Sequence, residues 1–251
     1  MKRVIVQELP QATRFATLDE DESHHLRQVL KQQTGAWIET LDLRGRACTG
    51  RLEWRGKIGT IHWVQGQSVE RRSAPLEVLP VDLEIAALKG DSMEWVIEKA
   101  VELGARSVFP IFTAHTVVQA GRKSPEELQG RWQKIADQSL KQCGRLTQLI
   151  VHNPLPIAEH LRRTSEQQSL RILADEQHAL STETLKKSIQ TLTGSPSADC
   201  SVMIGPEGGW SETERTLLQN ERKSVSLGPL ILRAETAAIY ALSVVGSVLR
   251  A

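Results

Sequence analysis

The chain has 251 residues, 40% hydrophobic and 24% charged, with a net charge of +1; this composition excludes intrinsic disorder and suits one large domain or two smaller ones. No apolar run approaches membrane-spanning length and the basic start Met1–Pro10 has too short an apolar core for a secretory signal, so a cytoplasmic protein with no membrane partner is expected. Cys48, Cys143 and Cys200 are too scattered for a disulfide framework, and neither they nor the seven histidines show metal-ligand spacing, so no metal is expected.

From His24 to Arg72 the charge is uneven. Arg27, Lys31, Arg44, Arg46, Arg51, Arg55, Lys57, Arg71 and Arg72 face only four carboxylates, a local excess of +5. On a compact module this is the electrostatic footprint of a nucleic-acid contact, although a solvated basic face produces the same count. The stretch carries short alternating runs, Ala36–Leu41, Arg51–Trp54 and Gly59–Val64, separated by glycine-containing turns, which predict a small β-barrel or curled sheet. Ser68–Pro75 breaks this texture and reads as a linker, dividing residues 1–72 from residues 73–251.

Beyond it, Leu83–Leu88 predicts a strand, followed by a helix with Asp91 as N-cap, Glu94 three residues on and Gly104 as the stop. Ser107–Phe112 reads as a strand whose Pro110 suits an edge or bulge. Ser124-Pro-Glu-Glu127 announces a helix running to about Cys143. Further strands are predicted at Leu149–Val151, Leu170–Ala174, Cys200–Ile204 and Val225–Leu227, with helices between them and a loop over Thr191–Ala198. This alternation predicts an α/β domain with a largely parallel sheet.

Ligands of such sheets sit beyond the carboxyl ends of the strands, which singles out two glycine-containing segments. In the first, Cys200–Ile204 leads through Gly205, Pro206, Glu207, Gly208 and Gly209 into a helix capped by Ser211 and Glu214. Neither Gly-x-Gly-x-x-Gly nor Gly-Lys-[Ser/Thr] occurs there, so the usual phosphate cradles are excluded; backbone amides offered to an adenine or a carboxylate fit better. In the second, a strand ends at Gly228 and a long helix begins near Arg233 or Ala234, with a stripe of Ala234, Ala237, Ala238, Ala241, Val244, Val245 and Val248. Arg233, Glu235 and Thr236 fall at its start, where they serve either helix-start chemistry or a ligand. The small residues of the stripe allow close helix packing, across a dimer included.

Together these blocks resemble the bacterial 16S ribosomal RNA uridine-N3 methyltransferases of the SPOUT superfamily. The resemblance rests on Gly205–Gly209, on the Leu-Gly and Leu-Arg-x-Glu-Thr pattern over residues 227–236, on Leu88–Trp95 with Lys99–Gly104, on Gln142 and Arg145, and on His24–Leu30. It therefore spans nearly the whole chain. Leu230 stands where the family commonly carries an arginine, and Lys141 where it carries a glutamate.

The resemblance implies an RNA-binding, PUA-like β-barrel over residues 1–72, a trefoil-knotted α/β methyltransferase domain over 73–251, and a homodimer. It implies S-adenosylmethionine (SAM) as cofactor, cradled by Leu173, Ala174, Gly205, Pro206, Glu207, Gly208, Gly209, Leu227, Gly228, Leu232 and Thr236. Arg233 and Glu235 are the implied catalytic residues, with Glu207 an alternative proton acceptor; Arg27, Arg44, Arg46, Arg51 and Arg145 are the expected RNA contacts. The implied substrate is 16S rRNA in the small ribosomal subunit, at N3 of the uridine at position 1498. A ribose 2′-O-methyltransferase of the same superfamily would carry a Ser-Leu-Asn-type last motif in place of Leu232–Thr236. A non-catalytic RNA-binding assembly factor would have no need of an intact Gly205–Gly209.

Overall fold

The computed structural model describes residues 1–9, 14–64, 66–116, 124–164, 170–178, 183–192 and 199–251. They divide into two compact units, 1–77 with 138–148 and 78–137 with 149–251.

The first unit is built on strands β1 (Lys2–Ile5), β2 (Phe15–Thr17), β3 (Trp37–Leu41), β4 (Arg46–Arg55), β5 (Ile58–His62) and β6 (Glu70–Arg72), with helix α1 (Glu20–His24) continuing into a π-helical turn over His25–Val29. The sheet runs β1-β3-β4-β5-β2, with β6 on β4. Alternation sorts its two faces: Ile38, Leu52 and Ile61 enter a core with Val4, Leu26 and Trp63, while their neighbours Trp37, Arg51 and His62 point the other way. The α1 start is capped by Asp19, whose carboxylate accepts the Glu22 N–H at 2.7 Å. The stretch read as a linker contains β6, which pairs with Arg46–Cys48. All three of its residues are exposed, so it has no apolar face to announce it.

This unit ends later than the boundary expected near residue 73, because Glu77 Oε1 accepts the N–H groups of Leu146 and Thr147 at 2.7 and 3.0 Å. Glu39, nearly buried, bridges Arg3 and Arg71 at 2.7 and 3.0 Å. Burial opposes its charge, but these two guanidinium partners prevail and hold the carboxyl below its usual range. Arg3 also donates to the carbonyls of Lys141 and Gln142, and Lys141 pairs with Glu22 at 2.8 Å.

The second unit alternates as expected: β7 (Val81–Ala86), α2 (Asp91–Leu103), β8 (Ser107–Phe112), α3 (Pro125–Cys143), β9 (Ile150–Val151), β10 (Leu155–Pro156), α4 (Ile157–Thr164), β11 (Leu170–Ala174), α5 (Leu185–Gln190), β12 (Cys200–Ile204), α6 (Glu212–Glu221), β13 (Lys223–Val225) and α7 (Ala234–Leu249). The last residues of α3 fall in the first unit. The strand order is β10-β8-β7-β12-β11-β13, with β9 on β8, and every pairing is parallel. Helices α2, α5 and α7 pack together on one face. On the other, Ile157 and Leu161 of α4 and Leu218 of α6 meet Ile111, Leu173 and Met203 of the sheet, along with Trp210.

Local signals account for much of this. Ser124 and Glu127 exchange hydrogen bonds at the start of α3, as Ser211 and Glu214 do for α6. Pro110 fits because even-numbered residues of β8 turn their backbone groups away from β7: Val108 O accepts from His152 while Ile111 O accepts from Ala87. The missing N–H of Pro110 thus falls between the pairings made by β9 and β10. Gly104 ends α2 with φ of +88°.

Three expectations need correction. The N-cap of α2 is Gly90, and Asp91 instead serves the helix dipole from the first turn. The last strand is Lys223–Val225 rather than Val225–Leu227, because Ser226 turns its hydroxyl onto the Gly228 N–H at 3.0 Å and ends the extended run. Along α7 the buried face includes Leu242 and Gly246, whereas Val244 and Val248 are only partly buried. Residues 193–198 of the expected loop lie outside the described residues.

One polar cluster is sealed inside the second unit. Glu84 of β7 meets Arg222 at 2.6 Å and His160 at 3.2 Å, all three nearly inaccessible. Burial works against the Glu84 charge, yet His160, Arg222 and Ser201 together hold its carboxyl below the ordinary range. Burial in turn lowers the Arg222 guanidinium from its usual value.

Candidate functional site

Strands β12, β11 and β13 lie side by side and end level: Ala174 registers with both Ile204 and Val225. The loops leaving them converge on a cavity of about 810 Å³, at the carboxyl ends where parallel sheets place ligands. The first wall is Ala174, Asp175 and Glu176; the second is Ile204 through Gly209; the third is Leu227 and Gly228 with Leu230 through Ala234, and Ala237.

The second wall is a tight turn. The Gly209 N–H returns to the Pro206 carbonyl at 2.9 Å, and Gly209 takes φ of +71°, where glycine is favoured. Gly205 is required for a different reason: a Cβ there would stand 2.9 Å from Cε2 and Nε1 of Trp210, whose indole is buried beneath the turn. Gly208 packs as closely on His115, whose Cβ lies 3.0 Å from where its own would stand. The His115 ring Nδ1 also meets the Gly209 carbonyl at 2.9 Å.

A second tie runs beside it. Glu214 uses Oε2 for the Ser211 cap at 3.0 Å and Oε1 to accept the Ala114 N–H at 2.8 Å. The segment after β8 is thereby joined to both the turn and the start of α6. At the first wall, Arg215 of α6 reaches Asp175 at 2.7 Å and Glu176 at 2.9 Å. Burial disfavours its charge, but those two carboxylates push its guanidinium further above the usual value. Asp175 and Glu176 are therefore fixed at the cavity edge.

Most of the expected cofactor residues meet here: Ala174, Gly205, Pro206, Glu207, Gly208, Gly209, Leu227, Gly228 and Leu232, together with Arg233. Leu173 does not. It is fully buried in the core against Met203 and Trp210, since successive strand residues face opposite ways. Arg233 is the N-cap of α7 and makes no side-chain cap bond; its side chain is exposed at the cavity wall. Ala234 and Ala237 face the cavity, so the helical repeat turns Glu235 and Thr236 aside. Among the described residues, Glu235 keeps its Oε2 buried with no hydrogen-bond partner. Leu230 and Ile231 at the rim are 75% and 80% exposed.

The expected RNA contacts lie in the first unit and are not equivalent. Arg27 stacks over Trp54 at 5.2 Å and Arg51 over Trp37 at 4.7 Å, and Arg44 is exposed. Arg46 is held by Asp42 at 2.8 Å. Arg145 overturns its expectation: it is 5% exposed and donates to the Thr147 carbonyl at 2.6 Å, so it braces a turn instead of facing solvent. Among the described residues no group of three or more His, Cys, Asp or Glu is placed to hold a metal ion, and no helix is long and apolar enough to cross a membrane.

Sequence reasoning missed Asp175, Glu176 and Arg215, which carry no motif, and His115, which only the folded chain brings to Gly209. Glu214 was legible as a cap, but its second bond to Ala114 was not.

Comparison with known proteins adds three findings. The sequence model of the RNA methyltransferase domain family matches residues 75–246. Ribosomal RNA small subunit methyltransferase E of Bacillus subtilis is 29% identical over 240 residues, covering 95% of this chain and 92% of its own; that of Synechocystis is 30% identical over 235 residues, covering 93% and 73%. The crystal structure of the Neisseria gonorrhoeae protein of the same name, bound to S-adenosyl methionine, superposes with a TM-score of 0.77 at 26% identity, covering 98% of this chain and 97% of that one.

Proposed function

Because the chain belongs to the RNA methyltransferase family, among the ribosomal RNA small subunit methyltransferases E, we propose that it methylates 16S rRNA with SAM as methyl donor. The position we assign is N3 of the uridine at position 1498, in the small ribosomal subunit. The observation that carries this reading is the cavity itself, in which the two glycine-containing segments and Arg233 converge.

The residues fit the cofactor. A volume of about 810 Å³ lies within the range of small-molecule sites, about 300–1,000 Å³. Gly205 to Gly209 and Leu227 to Leu232 would hold the cofactor through backbone groups, and the partly exposed Glu176 carboxylate would offer an acceptor to its polar atoms. When bound, SAM supplies an electrophilic methyl group on sulfur.

The chain's own residues must then position the base and manage one proton. Uracil N3 carries a proton at neutral pH, so its nucleophilic form requires a base. Arg233, exposed at the cavity wall, stabilises the negative charge that develops on the uracil carbonyl oxygens. Of the two candidate carboxylates, Glu207 lines the cavity and is the one placed to take the proton, whereas Glu235, turned aside from the cavity, is left an orienting role beside Arg233 at the start of α7. The base must leave its stack to enter, as in other sequence-directed RNA chemistry.

The all-parallel sheet supports our reading of a knotted SPOUT domain, and the mixed sheet that carries the basic stretch supports that of a PUA-like barrel; the homodimer and the cytoplasmic location belong to the same proposal through the family assignment alone. The test is to delete the gene and map 16S rRNA by nuclease digestion and mass spectrometry. One methylated uridine is expected to disappear, to return with the wild-type gene and not with Arg233→Ala. An unchanged map refutes the assignment, and loss of a ribose methyl in place of a base methyl moves it to the 2′-O class.

A further inference from the structure

The register of the first unit places four unusual groups in one line. Trp37 of β3 is opposite Arg51 of β4, Arg51 is opposite His62 of β5, and His62 is opposite Phe15 of β2. Residues directly opposite one another share a face of the sheet. The neighbouring row, with Leu52, Ile61 and Ala16, supplies the core, so the four lie on the face turned from it.

Each group offers a flat surface. The Arg51 guanidinium lies over the Trp37 ring at 4.7 Å, and the Phe15 and His62 rings are 5.9 Å apart at a tilt of 38°. Phe15 is 48% exposed, a large ring left half open to solvent. His62 is held by Glu53 at 2.7 Å, which fixes its plane. Exposed Arg55 and Lys57 follow on the same hairpin, within the stretch that carries the local excess of +5.

We propose that the row Trp37-Arg51-His62-Phe15 is a stacking platform for unpaired bases of RNA. It rests on the functional reading above only for the identity of the RNA. Three inter-strand steps make the row about 14 Å long, room for about two or three bases. Planar rings and a guanidinium accept the faces of any base, while the surrounding cations track the phosphates. A duplex hides its base faces and cannot use such a row. A protein partner would match neither this spacing of flat groups nor the positive surround.

The experiment uses the full chain and fluorescence anisotropy of a labelled oligouridine strand, alone and paired with oligoadenosine. Phe15→Ala and Trp37→Ala each weaken single-strand binding about tenfold, Trp37→Phe retains most of the affinity, and duplex binding is unchanged. Calorimetric SAM binding and thermal unfolding, measured in parallel, show that the variants are folded. Wild-type single-strand affinity in both alanine variants overturns the platform, as does full recovery with Phe15→Leu, which would mean apolar contact without stacking. Because the assay requires no methyl transfer, a platform that binds in a protein that leaves 16S rRNA unmodified sinks the functional reading alone. Methylation by a protein whose row is inert sinks the platform alone.

Discussion

Adding one methyl group at Gly205 tests whether the turn is fitted to the indole beneath it. The Cβ of Gly205→Ala would stand 2.9 Å from Cε2 and Nε1 of Trp210, whereas carbon atoms in contact sit at about 3.5–4.0 Å. The shortfall is at least about 0.6 Å. Trp210 cannot swing aside cheaply, because it is 6% exposed and packed among Leu173, Met203 and Leu218. Overpacking of this kind costs about 1–3 kcal/mol. Where the turn yields, SAM affinity falls by about 5- to 150-fold; where the indole yields, the same cost shows as lost stability. Isothermal calorimetry with SAM and urea unfolding of the unliganded protein read the two routes separately. Trp210→Leu, which removes both clashing atoms, is expected to restore much of the lost SAM affinity in the Gly205→Ala background, giving a favourable coupling in the double-mutant cycle. Wild-type affinity and stability in Gly205→Ala, or no coupling with Trp210→Leu, would refute the reasoning.

Two further substitutions probe what holds the cavity and the core. His115→Ala removes the contact to the Gly209 carbonyl and the packing on Gly208; loss of one hydrogen bond, about 0.5–1.5 kcal/mol, should speed backbone hydrogen exchange over residues 205–212 and weaken SAM binding a few-fold. Exchange at the wild-type rate would show that the turn stands without it. Glu84→Gln leaves the Arg222 charge buried without its partner, and is expected to cost about 3–5 kcal/mol in urea unfolding at neutral pH. The folded carboxyl lies below its ordinary value of 4.5, so its contribution is present above 4.5 and is lost as pH falls through the lower folded value. The gap between wild type and variant should therefore narrow in that acid window, and a gap constant with pH would contradict the ion-pair account.

What could be read in advance follows from the range of the forces involved. Strands β11 and β12, the caps at Ser124 and Ser211, and the start of α7 are written in neighbouring residues, and the structure places each where its local pattern pointed. Gly205 to Gly209 and Leu227 to Leu232 were legible for the same reason, since a turn between strand and helix has a local composition. Strand β6 escaped because its stability comes from pairing with β4, not from an apolar face. Leu173 was drawn into the site by adjacency to Ala174, although strand alternation sends it to the core. Arg145 looked like a surface cation until its bonds to backbone carbonyls placed it inside. Neither His115 nor Arg215 could be found locally, because each acts on residues distant in the chain.

Residues 138–148 count with the first unit, and this makes that unit a poor cassette for exchange. A single crossover near residue 77 would transfer Glu22 without Lys141, and so part Glu22 from its ion-pair partner, while the backbone carbonyls that Arg3 meets would be supplied by any residues at 141 and 142. In a chimera taking its second segment from a relative with glutamate at position 141, two carboxylates would meet where Lys141 and Glu22 now attract. The pair thus works as a compatibility key between distant stretches of chain. Recombinants that inherit the two stretches from different parents should be less stable than either parent.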